Sequence, residues 1–181
     1  MKPVTRLVLA LCCSTALTTA LSPSATAHED HEHDTLSQRK HVHGAVTVNI
    51  ALEGQTLSVE LEAPADNVVG FEKSPRTEAE RKAIADANAW LASGRDITWV
   101  PGNAGCRLLS VDFVPPKFGS GHADYRARIA YRCANPSALD WVELRALNRL
   151  RELEQVEVNL LTATVQRQTE LPAGTVRISL K

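Results

Sequence analysis

From Val46 to Leu61 apolar and polar side chains change places at almost every step. Val46, Val48, Ile50 and Leu52 are interleaved with Thr47, Asn49 and Ala51, and Leu57, Val59 and Leu61 resume the pattern after Glu53-Gly54-Gln55. Successive side chains of a strand point to opposite faces, so a period of two puts one face in a core and the other in water. Two such runs around a glycine-centred turn form a β-hairpin. A hairpin cannot bury its apolar face alone, so the rest of the chain has to supply more strands and a layer to cover them.

Pro64 ends the second strand, and residues 65–76 read as a loop. Thr77 and Glu80 then make a capping box, each side chain satisfying the other residue's backbone N–H. Ala83, Ile84, Ala87 and Leu91 follow at helical spacing, Glu78 and Lys82 are spaced to pair at i,i+4, and Ser93-Gly94 closes the helix. Residues 96–105 look irregular, with a short strand predicted at Ile97–Val100. Cys106–Val114 reads as a strand stopped by Pro115-Pro116. In Ala123–Cys133, Tyr125, Ala127, Ile129, Tyr131 and Cys133 share one face. Arg126, Arg128 and Arg132 share the other, a solvated sheet face rather than an anion site. Ala138–Glu154 fits two readings: a helix on Leu139, Val142, Ala146, Leu150 and Leu153, or a strand through Val142 and Leu144 before a shorter helical segment. Gln155–Ala163 alternates again, and Val176, Ile178 and Leu180 make a last strand after Pro172-Ala173-Gly174. Strands dominate, short turns join them and no βαβ rhythm appears. The expected fold class is α+β, a mainly antiparallel β-sheet domain with one clear helix.

Lys2 and Arg6 precede an apolar run from Leu7 to Leu21, and Ala25-Thr26-Ala27 supplies the small residues of a cleavage site. Residues 1–27 therefore read as a signal peptide, cut after Ala27, which predicts a periplasmic protein. Leu11 is too bulky for a lipid-attachment signal at Cys12 or Cys13, and no later segment is apolar enough to insert in a membrane. Cys106 and Cys133 then remain, and an even pair in an oxidising compartment reads as one internal disulfide rather than a thiolate metal site. The exported chain is mildly acidic and carries neither a basic stripe nor a basic amphipathic helix, which argues against nucleic-acid and lipid partners. Aromatic residues are only 4% of the chain, so the core has to be built from Val, Leu, Ile and Ala.

The chemistry-bearing residues sit in three places. His28, His31 and His33 alternate with acids in HEDHEHD, at the head of a polar tail spanning residues 28–40. His41 and His43 stand where the first strand begins, and His122, followed by Asp124, stands where the Tyr125 strand begins. Imidazole and carboxylate are the ligands Zn²⁺ takes when thiolates are unavailable. Residues i and i+2 of a strand point to the same side with Cα atoms roughly 6.6–6.8 Å apart, so the HVHG pair can converge on one ion and Gly44 lets the chain bend beside it. His122 and Asp124 share that spacing, and if the two strand starts meet, three histidines and a carboxylate fill a tetrahedral sphere. The tail is a looser ligand set, because ordering it costs about 1–2 kcal/mol of backbone entropy per residue. Histidine ligates only when neutral, so Zn²⁺ binding is expected to weaken as pH falls through about 6.5.

Two other readings of these residues stand beside the metal. The acidic, histidine-rich tail also suits a solvated spacer on a structural or interaction module. A copper or nickel carrier is the third reading, since other divalent transition metals compete for nitrogen and oxygen sites. With Asp30 at the third mature position, the usual amino-terminal copper/nickel motif is absent. Enzyme signatures are thin: Gly119-Ser120-Gly121-His122 lacks the elbow context of a hydrolase, and HExxH, Walker and Rossmann patterns are missing. Asp66 and Glu72 are too little to define a carboxylate pair. A non-enzymatic protein is expected.

The block HVHGAVTVNIALEGQTLSVELEAPADNVVGFE, His41 to Glu72, resembles the opening of the ZrgA-type periplasmic proteins, a family associated with zinc uptake. Gly105-Cys106, His122 through Asp124 and Tyr125 to Tyr131 and Cys133, and Asn135-Pro136 extend the resemblance over nearly all of residues 41–181. It implies a zinc-binding accessory working with a zinc ABC importer or that importer's binding protein, and it favours strand over long helix at Leu139–Leu144. Carried over by position, His41 and His43 match the HxH before glycine, and His122 and Asp124 the start of the later strand. Members often carry a histidine-rich insert before the His122 position, whereas here that place is only residues 115–121. Multi-ligand capture would then fall to the tail.

Overall fold

The computed structural model describes residues 44–119, 121–174 and 176–181. The predicted signal peptide, the tail with His28, His31 and His33, and the His41/His43 pair lie outside the described residues.

The predicted hairpin is β1 (Ala45–Glu53) and β2 (Thr56–Pro64). The main sheet adds β3 (Cys106–Val114), β4 (Asp124–Cys133), β6 (Gln155–Leu161) and β7 (Gln166–Pro172), in the order β3-β4-β2-β1-β6-β7. A separate two-stranded ribbon pairs β5 (Trp141–Glu143) with β8 (Arg177–Ser179). All neighbours in the main sheet are antiparallel except β1 and β6. Parallel strands need a long crossover, and here the whole stretch from β2 to β6 serves as one.

Register explains the core. Val48 lies opposite Leu61 and Val158, and Leu61 opposite Ala127. Ile50 lies opposite Val59 and Leu160, and Val59 opposite Ile129. These rows are buried, with Val48 and Ile129 fully so. Ala87 and Leu91 of α2 (Glu78–Ser93), Val142 and Ile178 of the ribbon, and Ile97, Leu139 and Leu147 of the connections join the same cluster. On the opposite face Arg126 and Arg128 sit directly across from Glu62 and Glu60 and pair with them. The arginine row is thus a solvated ion-pair ladder, whose individual pairs contribute little to stability.

The helix forms as its caps dictate. Thr77 and Glu80 complete the capping box, Gly94 takes the left-handed C-cap, and Cys106 is bonded to Cys133 at the end of the β3–β4 ladder. The fold is α+β, mainly antiparallel, with one main helix and one internal disulfide. Among the described residues no helix is long and apolar enough to cross a membrane.

Several local expectations are corrected. Residues 65–76 are not all loop: α1 (Ala65–Val69) starts directly after Pro64 and ends at Gly70 in the left-handed region. A five-residue helix is too short to show a period and is held by tertiary contacts. The strand expected at Ile97–Val100 reduces to a single bridge between Trp99 and Glu143. No long helix forms over 138–154, where β5 is flanked by 3₁₀ turns at Pro136–Ala138 and Arg145–Arg149, in agreement with the strand reading. Lys82 pairs with Asp86, while Glu78 is taken by Arg81. β6 stops at Leu161, two residues short of the expected end. β7 has no apolar alternation to announce it, because it is a largely exposed edge strand that only β6 specifies.

Candidate metal centre

The sheet registers bring the start of β1, which follows the HVHG run in the sequence, and the start of β4, which follows His122, to one end of the domain. Thr47 of β1 lies opposite Glu62 of β2, and Glu62 opposite Arg126 of β4. Two residues further along, Pro64, the last residue of β2, faces Asp124, the first of β4. Ala45, the first residue of β1, faces Gln155, the first of β6. The chain therefore enters β1, β4 and β6 at the same edge and leaves β2 there. Neighbouring strands are about 4.8 Å apart, so the starts of β1 and β4, with β2 between them, are separated by roughly 10 Å.

Gly44 is where the HVHG segment joins the sheet. Its carbonyl accepts from the N–H groups of Glu154 (2.9 Å) and Gln155 (3.1 Å), and its φ is +81°. A Cβ here would sit 2.9 Å from Glu154 Cγ and 3.1 Å from the Glu152 carbonyl oxygen. The glycine is required both by its left-handed backbone and by this close approach.

Helix α1 closes the gap between the strand starts. The Ala65 N–H donates to the Ala123 carbonyl at 2.6 Å, tying α1 to the residue that follows His122. On the other side Asn67, 1% exposed, donates through Nδ2 to the Arg151 carbonyl at 2.7 Å, and the Arg151 N–H donates back to the Asn67 carbonyl at 2.7 Å. The run into β6 and the start of β4 are thus clamped to one short helix.

Beyond α1 the chain turns at Gly70 and delivers Phe71 and Glu72. Phe71 packs on Phe118 with ring centroids 5.7 Å apart, and Phe118 meets Tyr125 edge-on at 6.4 Å. A Cβ on Gly119 would lie 2.6 Å from Ser74 Oγ, so the 115–121 loop and the 70–76 segment lie against each other. Burial pushes the Tyr125 phenol up to about 12, keeping it neutral. This packing sets Glu72 beside His122: Glu72 Oε2 is 3.4 Å from His122 Nδ1. The Glu72 side chain is 15% exposed and that of His122 51%. Glu72 Oε1 is buried with no hydrogen-bond partner among the described residues.

Of the residues singled out from the sequence, His122 and Asp124 are described, and both stand at this edge. Asp124 opens β4 and lies within the electrostatic reach of Arg126, whose guanidinium is held charged chiefly by Glu62. Among the described residues no three His, Cys, Asp or Glu side chains cluster closely enough to hold a metal ion. The contact of Glu72 with His122 spans fifty residues of chain and depends on the packing of two loops. In the sequence Glu72 stood out only as a carboxylate near Asp66 and as the last residue of the family-like block.

Two other polar features carry different chemistry. Glu143 pairs with Arg177 and Arg145 (3.1 Å each), which hold its carboxyl below the ordinary range. Those arginines stack on Trp141 and Trp99, so the cluster pins the β5–β8 ribbon. On the outer sheet face a concavity of about 750 Å³ is lined by Asn49, Ser58, Glu60, Arg128, Asn159 and Gln168, among others. Glu60 there is engaged by Arg128, and the lining contains no imidazole or thiolate ligand.

A comparison with curated proteins finds no match. A family model described as ZrgA family zinc uptake protein matches residues 40–180, nearly all of the folded domain and the tight glycine entry at Gly44. The resemblance carried by His41–Glu72 thus extends to the whole domain, and this chain belongs to the ZrgA family of zinc uptake proteins.

Proposed function

We propose that the exported chain is a non-enzymatic periplasmic zinc-binding protein that buffers Zn²⁺ or hands it to a zinc ABC importer. In this reading His41, His43 and His122, with the carboxylate of Asp124, form the primary site, and the tail residues His28, His31 and His33 collect ions for it. The observation that supports it is topological: β1, which follows HVHG in the sequence, starts at the edge where His122 and Asp124 begin β4, on a chain of a zinc uptake family. A gap of roughly 10 Å between strand starts suits imidazoles reaching from both sides toward one ion.

Calorimetric titration of Zn²⁺ into residues 28–181 and into residues 35–181 tests the division of labour. Tight binding that survives truncation supports the edge site, and binding lost with the tail refutes it. Replacing His41, His43 and His122 together by alanine should abolish the tight phase while the thermal transition of the metal-free protein stays put. Unfolding of that variant with retained zinc would favour the structural or interaction reading instead. Competition by Cu²⁺ and Ni²⁺ separates a zinc carrier from a carrier of either metal.

A further inference from the structure

The two edges of the main sheet differ in character. β7 reads QRQTELP, polar along most of its length and ended by a proline, which are the usual guards of an open edge. β3, the opposite edge, leaves Leu108, Leu109 and Val114 exposed at 50%, 56% and 56%. Among the described residues no backbone group of β3 bonds to any strand or loop other than β4. Such an edge offers a row of unpaired N–H and C=O groups to another strand.

The register says which groups those are. In an antiparallel ladder successive residues direct their backbone groups alternately toward one neighbour and the other. The Cys133 N–H donates to the Gln55 carbonyl, toward β2, so the rung between Cys133 and Cys106 is not hydrogen-bonded and Cys106 turns its backbone groups away from β4. Leu108, opposite Tyr131, does the same. The register then slips between Leu108 and Ser110, and beyond the slip the outward residues are Val111, opposite Ile129, and Phe113, opposite Ala127. The outward set is symmetric about the bond from Leu109 to Ser110. A second β3 laid antiparallel on the first therefore pairs Cys106 with Phe113 and Leu108 with Val111. Between those rungs Arg107 falls opposite Asp112, both on the outer face.

We propose that two copies of this chain associate through β3, antiparallel about a dyad at the Leu109–Ser110 bulge. The strand is complementary to itself. Arg107 lies across from Arg132 of β4, a like-charge rung, and among the described residues neither Arg107 nor Asp112 forms an ion pair. A partner's Asp112 supplies the counter-charge to Arg107, and the symmetry makes that pair twice. Leu108 and Val111 make the apolar rungs between them. A bulge more often protects an edge from pairing. Here it lies on the dyad and supplies the one-residue slip that sets Arg107 against Asp112. The association joins two six-stranded sheets. Because it reverses the strand direction, it leaves the two candidate metal edges at opposite ends.

Sedimentation equilibrium of residues 28–181 up to about 500 μM tests this, with a chelator present so that no metal bridges the tails. The wild type should form a reversible dimer in that range. Arg107→Asp and Asp112→Arg each place like charges at both rungs and should weaken the dimer at least about tenfold. An equimolar mixture of the two variants restores opposite charges at both rungs and should dimerise as the wild type does. A wild type that stays monomeric overturns the proposal, and so does a dimer indifferent to the single replacements, which another surface would have to hold. A mixture that stays monomeric, although each variant unfolds near the wild-type temperature, overturns the register. Hydrogen exchange of the wild type needs no variant to fold: the N–H groups of Leu108, Val111 and Phe113 should exchange more slowly at high concentration than at low. Equal exchange with a dimer present overturns the β3 edge as the interface.

Discussion

Replacing Cys106 and Cys133 by alanine should lower stability by an amount that the chain connectivity sets. The bond closes a loop across a sequence separation of 27, and it lies at the last rung of the β3–β4 ladder, whose other rungs already hold the two strands in register. The native state therefore loses little when the bond is removed, and the effect falls mainly on the unfolded chain. On the chain-entropy model a loop of this size restricts the unfolded ensemble by about 12 cal/mol/K, or about 3.5 kcal/mol at 25 °C. Alanine is the proper replacement because Cys133 is fully buried and serine would bury a hydroxyl. The assay is urea unfolding of the oxidised protein beside the double variant, followed by far-ultraviolet circular dichroism. With a slope of about 2 kcal/mol/M, the midpoint should fall by roughly 1.5–2 M. The slope itself should rise, since a chain without the cross-link unfolds to expose more surface. A loss below about 1 kcal/mol with an unchanged slope would refute the reasoning, because the unfolded chain would then be constrained without the bond.

Further outcomes follow from other positions. Gly44→Ala should cost more than Gly54→Ala: both positions have positive φ, but a Cβ at Gly54 meets nothing within 4 Å, whereas at Gly44 it meets Glu154 and the Glu152 carbonyl. About 1 kcal/mol is expected at Gly54 and roughly 2–3 at Gly44, and equal losses in denaturant unfolding would remove the packing argument. Thr77→Ala should cost about 1 kcal/mol by deleting the cap of α2. The backbone N–H groups of Arg76 and Thr77 hold Glu80 near 2, below its ordinary 4.5, so its stabilising contribution is complete above about 4.5 and lost as pH falls toward 2. The stability difference between the wild type and Glu80→Gln should shrink over that window, and a difference that stays constant from pH 7 to 2 would contradict the cap assignment. Leu91→Ala removes a fully buried side chain and should cost about 2–5 kcal/mol by thermal or urea unfolding, while a loss under 1 would place α2 outside the cooperative core.

Where a side chain's neighbours along the chain decide its conformation, the sequence was enough. The period of two in β1, β2 and β4 states which face is buried, and Thr77, Glu80 and Gly94 state where α2 begins and ends. Cys106 and Cys133 could be paired because only two cysteines outlast the predicted leader. Elements whose conformation is imposed from outside were not legible. β7 is polar on both faces and becomes a strand through its hydrogen bonds to β6, and α1 is held by Ala123 and Arg151 rather than by a pattern of its own. The leucines of 139–153 satisfy a helical wheel, but their burial among the ribbon and connecting turns decides their conformation.

The candidate site divides along the same line. Imidazole and carboxylate chemistry, the i,i+2 spacing and the need for glycine beside HVHG are local, and the sequence by itself determined them. That β1 and β4 start at the same sheet edge depends on strand order and register, and only the tertiary structure decided it. The same holds for Glu72, which reaches His122 because Phe71 packs on Phe118 and Gly119 on Ser74. Coordination joins residues by distance in space, and distance between residues far apart in the chain is set by packing rather than by spacing.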